Sequence, residues 1–370
     1  MAAGVYLHVP FCKSRCSYCD FATDIYRSSD AVERYAAALC TEIEKAGGSD
    51  IDTIYFGGGT PSLLSPRQAE RILRTVRNQF VVTADSEITM EMNPATVTDE
   101  SLRDFCTLGI NRASFGVQTF DDHALKLLAR GHDADDARRT FDMLRKAGFD
   151  NISFDLIAGL PGQTLEDWER NLTEAVRMQP EHLSLYLLEI HEGTPLAEQV
   201  RSGRQPLPDA ELAAEMYGLM LDTLAAAGYE QYEISNFAKP GFESLHNSKY
   251  WTLDPVFGFG VSAHSFDGRQ RFANERDTAK YVELISNHGH AEVMREDIDE
   301  ASEFVFLGLR LECGIDLGDF ADRFGFNLVD KYGSEIDRLV EADLVTNFDH
   351  RLRLTRKGKL FSNEVFLIFV

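Results

Sequence analysis

Three cysteines fall in one short run, Cys12-Lys-Ser-Arg-Cys16-Ser-Tyr-Cys19, at the spacing C-x3-C-x2-C. Thiolates at that density bind a soft metal or an iron–sulfur cluster far more often than they pack a core. A structural zinc site wants four closed ligands and usually pairs two C-x2-C units. Cys40, Cys106 and Cys313 are isolated and supply no second pair; they read as small core residues. Three thiolates on a 4Fe-4S cube leave one iron without a protein ligand, a place where a small molecule can bind and react.

Other residues suited to chemistry recur along the chain. They are Gly57-Gly58-Gly59-Thr60-Pro61, Glu91-Met92-Asn93-Pro94, Gly116-Val117-Gln118, Asp155 ahead of Gly159-Leu160-Pro161-Gly162, and Glu189-Ile190-His191-Glu192-Gly193. Consecutive glycines let a ligand approach the backbone closely and expose N–H donors, or they make a tight turn. Glu91, Gln118 and Asp155 either contact a ligand or cap the following helix. The run His246-Asn247-x-x-Tyr250-Trp251 also has two readings. A histidine among aromatic residues is a packed, hydrogen-bonded core residue, or it is a neutral imidazole suited to haem iron. His264 and His8 compete with it as ligands.

The elements that must position these residues follow from periodicity. Apolar runs predict strands over 5–9, 53–56, 87–92, 112–117, 152–156 and 182–187. Amphipathic runs between them predict helices over 31–46, 66–78, 99–108, 134–147 and 165–178, with Gly148 as a helix stop. The alternation is that of a parallel α/β domain. Six units are too few for a closed eight-fold barrel, so an open, partial (β/α)6 barrel is expected. Functional residues of parallel barrels collect at the C-terminal strand ends, and every run named above except the His246 run sits at such an end. A further amphipathic helix is expected over 208–227, stopped by Gly228. Residues 231–300 read as an aromatic, glycine-rich connecting segment without clean periodicity. Residues 301–370 read as a helix-rich unit ending in a hairpin over 344–355 around an Asn/Asp turn. The expected division is therefore 1–230, 231–300 and 301–370.

The cysteine run resembles the signature of the radical S-adenosylmethionine (SAM) superfamily. The flanking Tyr6-x-His8-x-Pro10-Phe11-Cys12 is similar to its HemN/HemW branch, and the resemblance extends to the end of the chain, where a winged-helix-like HemN C-terminal domain is implied as a lid or docking surface over the barrel mouth. The resemblance implies Cys12, Cys16 and Cys19 as ligands of a 4Fe-4S cluster. It implies SAM contacts at Tyr6, Tyr18, Gly58, Gly59, Thr60, Glu91, Gln118, Arg130 and Asp155. His246-Asn247-x-x-Tyr250-Trp251 looks like the motif of the HemW side of the branch, which implies haem as a further ligand, held by His246, Tyr250 and Trp251, with Lys249 and Arg271 as cations for its propionates. Two functions are then in play: a haem chaperone delivering haem to respiratory proteins, and an oxygen-independent coproporphyrinogen III dehydrogenase of porphyrin synthesis. HemN carries a fourth cysteine two positions after the third and an N-terminal extension. Here Phe21 occupies that position and the first cysteine comes at position 12. Both departures favour the chaperone, with SAM bound and its cleavage left open.

Composition narrows the partners. The net charge of −23 argues against nucleic acid as the main partner, since that needs basic stripes. Residues 301–370 carry 9 Lys/Arg against 12 Asp/Glu, so the expected winged-helix-like unit has no electrostatic case for DNA either. The first residues lack the basic and apolar regions of a signal peptide, and thiols read as ligands fit a reducing cytoplasm. A monomer or a dimer, and peripheral contact with a membrane, are both compatible with the sequence.

Overall fold

Strands buried on both faces of a parallel sheet read as near-continuous apolar runs, and β1 (Ala3–Val9) is one. Val5, Leu7 and Val9 are fully buried on one face, while Tyr6 and His8 alternate to the other. The computed structural model describes residues 2–369. A short parallel pair follows, β2 (Phe11–Cys12) and β3 (Asp24–Ile25), closing the ends of the cysteine loop. The chain then alternates α1 (Ser29–Ile43), β4 (Asp50–Gly58), α2 (Pro66–Gln79), β5 (Val81–Met92), α3 (Asp99–Thr107), β6 (Arg112–Gln118), α4 (Asp122–Leu127), α5 (Ala134–Ala147), β7 (Asn151–Ala158), α6 (Leu165–Met178) and β8 (His182–Leu187). All six expected strands and all five expected helices are present, with ends shifted by a few residues. The largest difference is at β5, which starts six residues early on an exposed polar stretch.

Local chemistry explains the regularity. Ser65, Thr98, Asp133 and Thr164 each form a capping box at a helix start, worth about 1 kcal/mol apiece. Gly148 ends α5 in the left-handed region at φ 99°, as the sequence predicts. α7 (Pro195–Arg201) leads to α8 (Ala210–Ala226), the expected 208–227 helix, capped by Asp209. α8 is fastened to the barrel by the buried Trp168, whose indole N–H donates to the Met216 carbonyl at 3.0 Å.

Residues 231–300 differ from the expected irregular connection. β9 (Glu230–Gln231) and β10 (Asn236–Ala238) add antiparallel to β8. After α9 (Leu245–Trp251), β11 (Val256–Phe259) pairs parallel with β1, and β12 (His264–Phe266), β13 (Gln270–Asn274) and β14 (Glu292–Asp297) continue as an antiparallel meander, with α10 (Thr278–His288) inserted before the last. Among the described residues the main sheet has twelve strands, ordered β14-β13-β12-β11-β1-β4-β5-β6-β7-β8-β10-β9, of which seven are parallel. The glycines that suggested irregularity serve close packing. A Cβ on Gly260 would lie 2.6 Å from the Tyr35 hydroxyl, and that glycine has φ 102°.

The C-terminal unit comprises α11 (Glu300–Gly308), β15 (Ile315–Asp316), α12 (Leu317–Phe324), α13 (Leu328–Glu341), β16 (Val345–Phe348) and β17 (Arg351–Leu354). Helices α11 to α13 and a three-stranded sheet share a separate core around Phe320, Leu339, Leu352 and Phe369. The expected hairpin turns on Asp349 and His350, both at positive φ, the pattern of a two-residue type I′ loop. The unit is tied to the barrel by Arg310 to Glu233 at 3.3 Å and by Arg356 to Asp222 at 2.9 Å. No helix among the described residues is long and apolar enough to cross a membrane.

The β11–β14 flank is held to the barrel by Glu42 of α1. Its carboxylate accepts from the Gly260 N–H at 2.8 Å, the Asn274 amide at 2.6 Å and the Tyr281 hydroxyl at 2.6 Å. Burial pushes this carboxyl up to about 7. An unfolded Glu releases its proton near 4.3, so between about pH 4.3 and 7 the native state holds more protons. The stability contributed by this group therefore falls as pH rises through that window. Glu42→Ala should cost about 1–3 kcal/mol by stranding buried donors. The deficit in thermal or denaturant unfolding should be larger at pH 5 than at pH 8; an equal deficit at both would show that Glu42 is not the titrating link.

Candidate functional site

Parallel strands aim their C-terminal ends at one opening, and here that opening is a cavity of about 550 Å³, within the range of roughly 300–1,000 Å³ usual for ligand pockets. Cys12, Cys16, Tyr18 and Cys19 line it together with Gly58, Gly59, Glu91, Gln118, Arg130 and Asp155. The cysteine loop is fixed from outside. Asp24 N–H donates to the Pro10 carbonyl and Tyr26 N–H to the Cys12 carbonyl, both at 2.8 Å. Ser17, between the second and third cysteines, hangs on the end of α4 through its N–H to Leu128 and its hydroxyl to Leu127. All three cysteines are free and half-buried. Burial pushes the Cys12 thiol up to about 11, with the Thr60 hydroxyl working against it, and burial raises Cys19 as well.

Two polar groups reach the sulfurs. The Thr60 hydroxyl donates to Cys12 Sγ at 3.6 Å and the Arg130 guanidinium to Cys16 Sγ at 3.3 Å. Arg130 also donates to the Asn93 side-chain oxygen at 2.7 Å and to the Gly116 carbonyl at 2.6 Å, and the Asn93 amide donates to Thr60 at 2.7 Å. The relay Cys16–Arg130–Asn93–Thr60–Cys12 thus connects two of the three thiols through the ends of β4, β5 and β6. In a 4Fe-4S cube each thiolate binds a different iron. Three soft sulfurs, two of them facing donors that stabilise thiolate charge, fit a 4Fe-4S cluster.

The opposite wall is acidic. Glu91 accepts from the Tyr55 hydroxyl at 2.7 Å and from the Gly58 N–H at 3.0 Å, which ties the glycine turn to the end of β5. Gly58 has φ 113°, and a Cβ there would lie 2.7 Å from the His8 ring. So the glycine run makes a tight turn and lines the cavity at once. Burial, then the charge of Glu91, pushes Asp155 up to about 7, and burial raises Glu91. Gln118, between them, is held at φ 69°, the kind of left-handed non-glycine backbone that collects at ligand sites. Two carboxyl groups that disfavour each other's charge are relieved by a cationic ligand.

Not every expected residue is gathered here. Thr60 is buried beneath the lining and reaches the site through Cys12. Tyr6 lies deeper, its hydroxyl bonded to His8 Nδ1 at 3.1 Å and its ring stacked near Tyr55 and His246. The His246 run stands at the other end of the barrel. Thr53, which bonds His246 Nδ1 at 2.8 Å, precedes Gly58 by five residues along β4, or about 16 Å. His246 Nε2 meets the Tyr250 hydroxyl at 3.2 Å, and burial pushes the imidazole down to about 3. A ring with both nitrogens engaged in a core is the packed histidine of the first reading. Tyr250 and His264, with Lys249 and Arg271, line a separate pocket of about 30 Å³, room for about one water. Trp251 lies under the Arg310 guanidinium at 4.3 Å. Lys249 is paired with Asp52 and Arg271 with Glu303. The expected haem residues His246, Tyr250 and Trp251 thus lie in the packed barrel floor, apart from the large cavity. His8 is likewise engaged, through Ala22 and Tyr6. Asn93 was visible in the sequence only as a strand-end residue before a proline. His191, the histidine that does line the cavity, was visible only inside a polar run.

Residues 6–175 match the Radical SAM superfamily and residues 296–361 the HemN C-terminal domain. The Bacillus subtilis (strain 168) protein named "Heme chaperone HemW" is 39% identical over 376 residues, 99% of this chain and 98% of the relative. The protein of that name from Escherichia coli (strain K12) is 33% identical over 99% of this chain and 97% of its own. A Bos taurus protein named "Radical S-adenosyl methionine domain-containing protein 1, mitochondrial" is 36% identical over 96% of this chain and 84% of its own. The solved structure "Coproporphyrinogen III oxidase (HemN) from Escherichia coli is a Radical SAM enzyme" superposes with a TM-score of 0.86 over 100% of this chain and 90% of its own, at 24% identity, a likeness of fold.

Replacing Cys12, Cys16 or Cys19 by Ala should abolish the visible absorption of a cluster reconstituted with iron and sulfide. Replacing Cys40, Cys106 or Cys313 should leave it unchanged. Equal dependence on any of the latter three would remove the three-ligand assignment.

Proposed function

Because the chain belongs to the radical SAM superfamily and, within it, to the HemW family, we propose that it is a haem chaperone that carries a 4Fe-4S cluster and SAM and passes haem to acceptor proteins, respiratory ones among them. The observation that carries the chaperone reading is Phe21. This residue stands where HemN has its fourth cysteine, lines the cavity rim and is 64% exposed. A phenyl ring there offers an apolar contact in place of a thiol. Full-length similarity to proteins named heme chaperones supports the same reading.

Cys12, Cys16 and Cys19 would hold the cluster, which supplies an open iron and an electron at low potential. The residues assigned to SAM divide by chemistry. Gly58 and Gly59 allow close approach, Glu91 and Asp155 attract an ammonium or sulfonium charge, Gln118 hydrogen-bonds, and Arg130 holds the wall between cluster and ligand. Tyr18 shelters the apolar side, its ring packed beside Leu128 and Ile157. Haem would lie farther out. Arg310 and Lys359 of the C-terminal unit also line the cavity, each already paired, with Glu233 and with Glu312.

Two measurements test the reading. The reconstituted protein should bind haem saturably and should not convert coproporphyrinogen III to protoporphyrinogen IX under reducing, anaerobic conditions with SAM; robust conversion would establish the dehydrogenase instead. SAM binding should tighten between pH 6 and 8. The sign follows from Asp155, whose carboxyl titrates at about 7 and attracts a cation only when ionised. Asp155→Asn should weaken SAM by roughly tenfold, about 1.4 kcal/mol, and flatten the profile. An unchanged affinity in this variant would move the SAM site.

A further inference from the structure

A histidine that ligates haem iron needs a ring nitrogen with a free lone pair, an apolar surface beside it for the macrocycle, and a path from solvent. The ten histidines divide on these requirements. His8, His182 and His246 have both ring nitrogens engaged. His132 is buried against the Val117 carbonyl, and His264 faces the 30 Å³ pocket. His123, His288, His290 and His350 are exposed and away from the cavity lining. His191 lines the large cavity with its side chain 44% exposed.

Its surroundings meet the other two requirements. Asp20 lies 3.7 Å from Nδ1 and Glu189 lies 3.8 Å from Nε2. Both distances exceed a hydrogen bond, so either nitrogen is free to turn toward iron while the other takes a carboxylate, the pairing that orients metal-binding imidazoles. The backbone, by contrast, is fixed. The Thr194 hydroxyl donates to the His191 carbonyl at 2.7 Å, and Leu196 N–H donates to Ser17 of the cysteine loop at 2.8 Å. On the same cavity Phe21, next in the chain to Asp20, is 64% exposed, leaving an aromatic ring in water that a flat apolar ring would cover. The inner part of the cavity belongs to the cysteines and the acidic wall, so a macrocycle has room only at the mouth.

We propose that the haem cargo lies across the cavity mouth with its iron on His191 and its face on Phe21. This rests on the haem-chaperone reading. The test titrates haemin into the reconstituted full-length protein and follows the Soret band and the electron paramagnetic resonance of the iron. His191→Ala should shift the Soret band and weaken haemin by at least roughly tenfold, as loss of metal-site residues does, with the cluster absorption retained and the wild-type spectrum restored by added imidazole. His191→Met should give a third, distinct spectrum, because the ligand is exchanged and not removed. His246→Ala should leave the Soret position unchanged. If wild type binds haemin and the two His191 variants show its spectrum and affinity, His191 is not the ligand and the inference falls alone. If wild type shows no saturable Soret change, the chaperone reading falls and the inference with it.

Discussion

One buried guanidinium holds the site together. Arg130 donates at once to a cysteine sulfur, to a strand-end carbonyl and to Asn93. Taking such a cation out of water costs several kcal/mol unless geometry and opposite charge repay it. Hydrogen bonds to charged groups return about 1.5–3 kcal/mol each, and the acidic Asp155 and the thiols Cys16 and Cys19 surround the same region of the cavity. The arrangement is therefore balanced only when negative charge is present at the cysteines. A cluster ligated by three thiolates supplies that charge, so the protein is complete in an electrostatic sense only when loaded. The same guanidinium sits between the cysteines and the acidic wall, where it keeps two regions of opposite preference in one cavity.

That arrangement separates the two ends of the barrel. At the C-terminal end, Gln118 holds a positive φ and Asp155 a raised carboxyl. At the floor, the motif is held by direct hydrogen bonds. Glu87 accepts the Leu245 and His246 N–H groups at 3.1 Å, and His246 stacks 5.0 Å from Tyr55. Tyr55 in turn donates to Glu91. The floor motif thus bears on the site indirectly, through one tyrosine that connects His246 to the acidic wall. A residue run diagnostic of a family can be diagnostic for this reason: it fixes the support and leaves the chemistry to residues at the other end.

The strands, the helices between them and the cysteine loop were legible because each has a local signal: apolar runs buried on both faces, capping boxes at Ser65, Thr98, Asp133 and Thr164, and ligand spacing within one loop. The strand-end rule also located Glu91, Gln118 and Asp155 on one cavity before any coordinates. What escaped was set by pairing between distant segments. The strand Val256–Phe259 is only four residues long, and nothing local tells that it docks parallel to β1. The role of Asn93 appears only when Arg130 and Thr60 approach it from either side. The packing of His246 was not legible because adjacency to aromatic residues in sequence does not say whether those rings form a pocket or fill one. Both ring nitrogens find partners, Thr53 and Tyr250, and only the folded chain reveals the first.

The last step concerns why a scaffold of this kind would serve a carrier. Enzymes on barrels close the mouth to exclude water from a reacting centre. Here the cavity keeps exposed aromatic surface at Phe21 and an imidazole with loosely placed carboxylates. A carrier must release what it binds, so its ligand contacts should be reachable by a partner and incompletely satisfied. The cluster and the acidic wall are, by contrast, deep and interlocked through Arg130, as resident cofactors require. On the proposed reading, depth would sort the ligands by residence: a resident cofactor would be bound among the strand ends, and the haem to be passed on would be met at the rim.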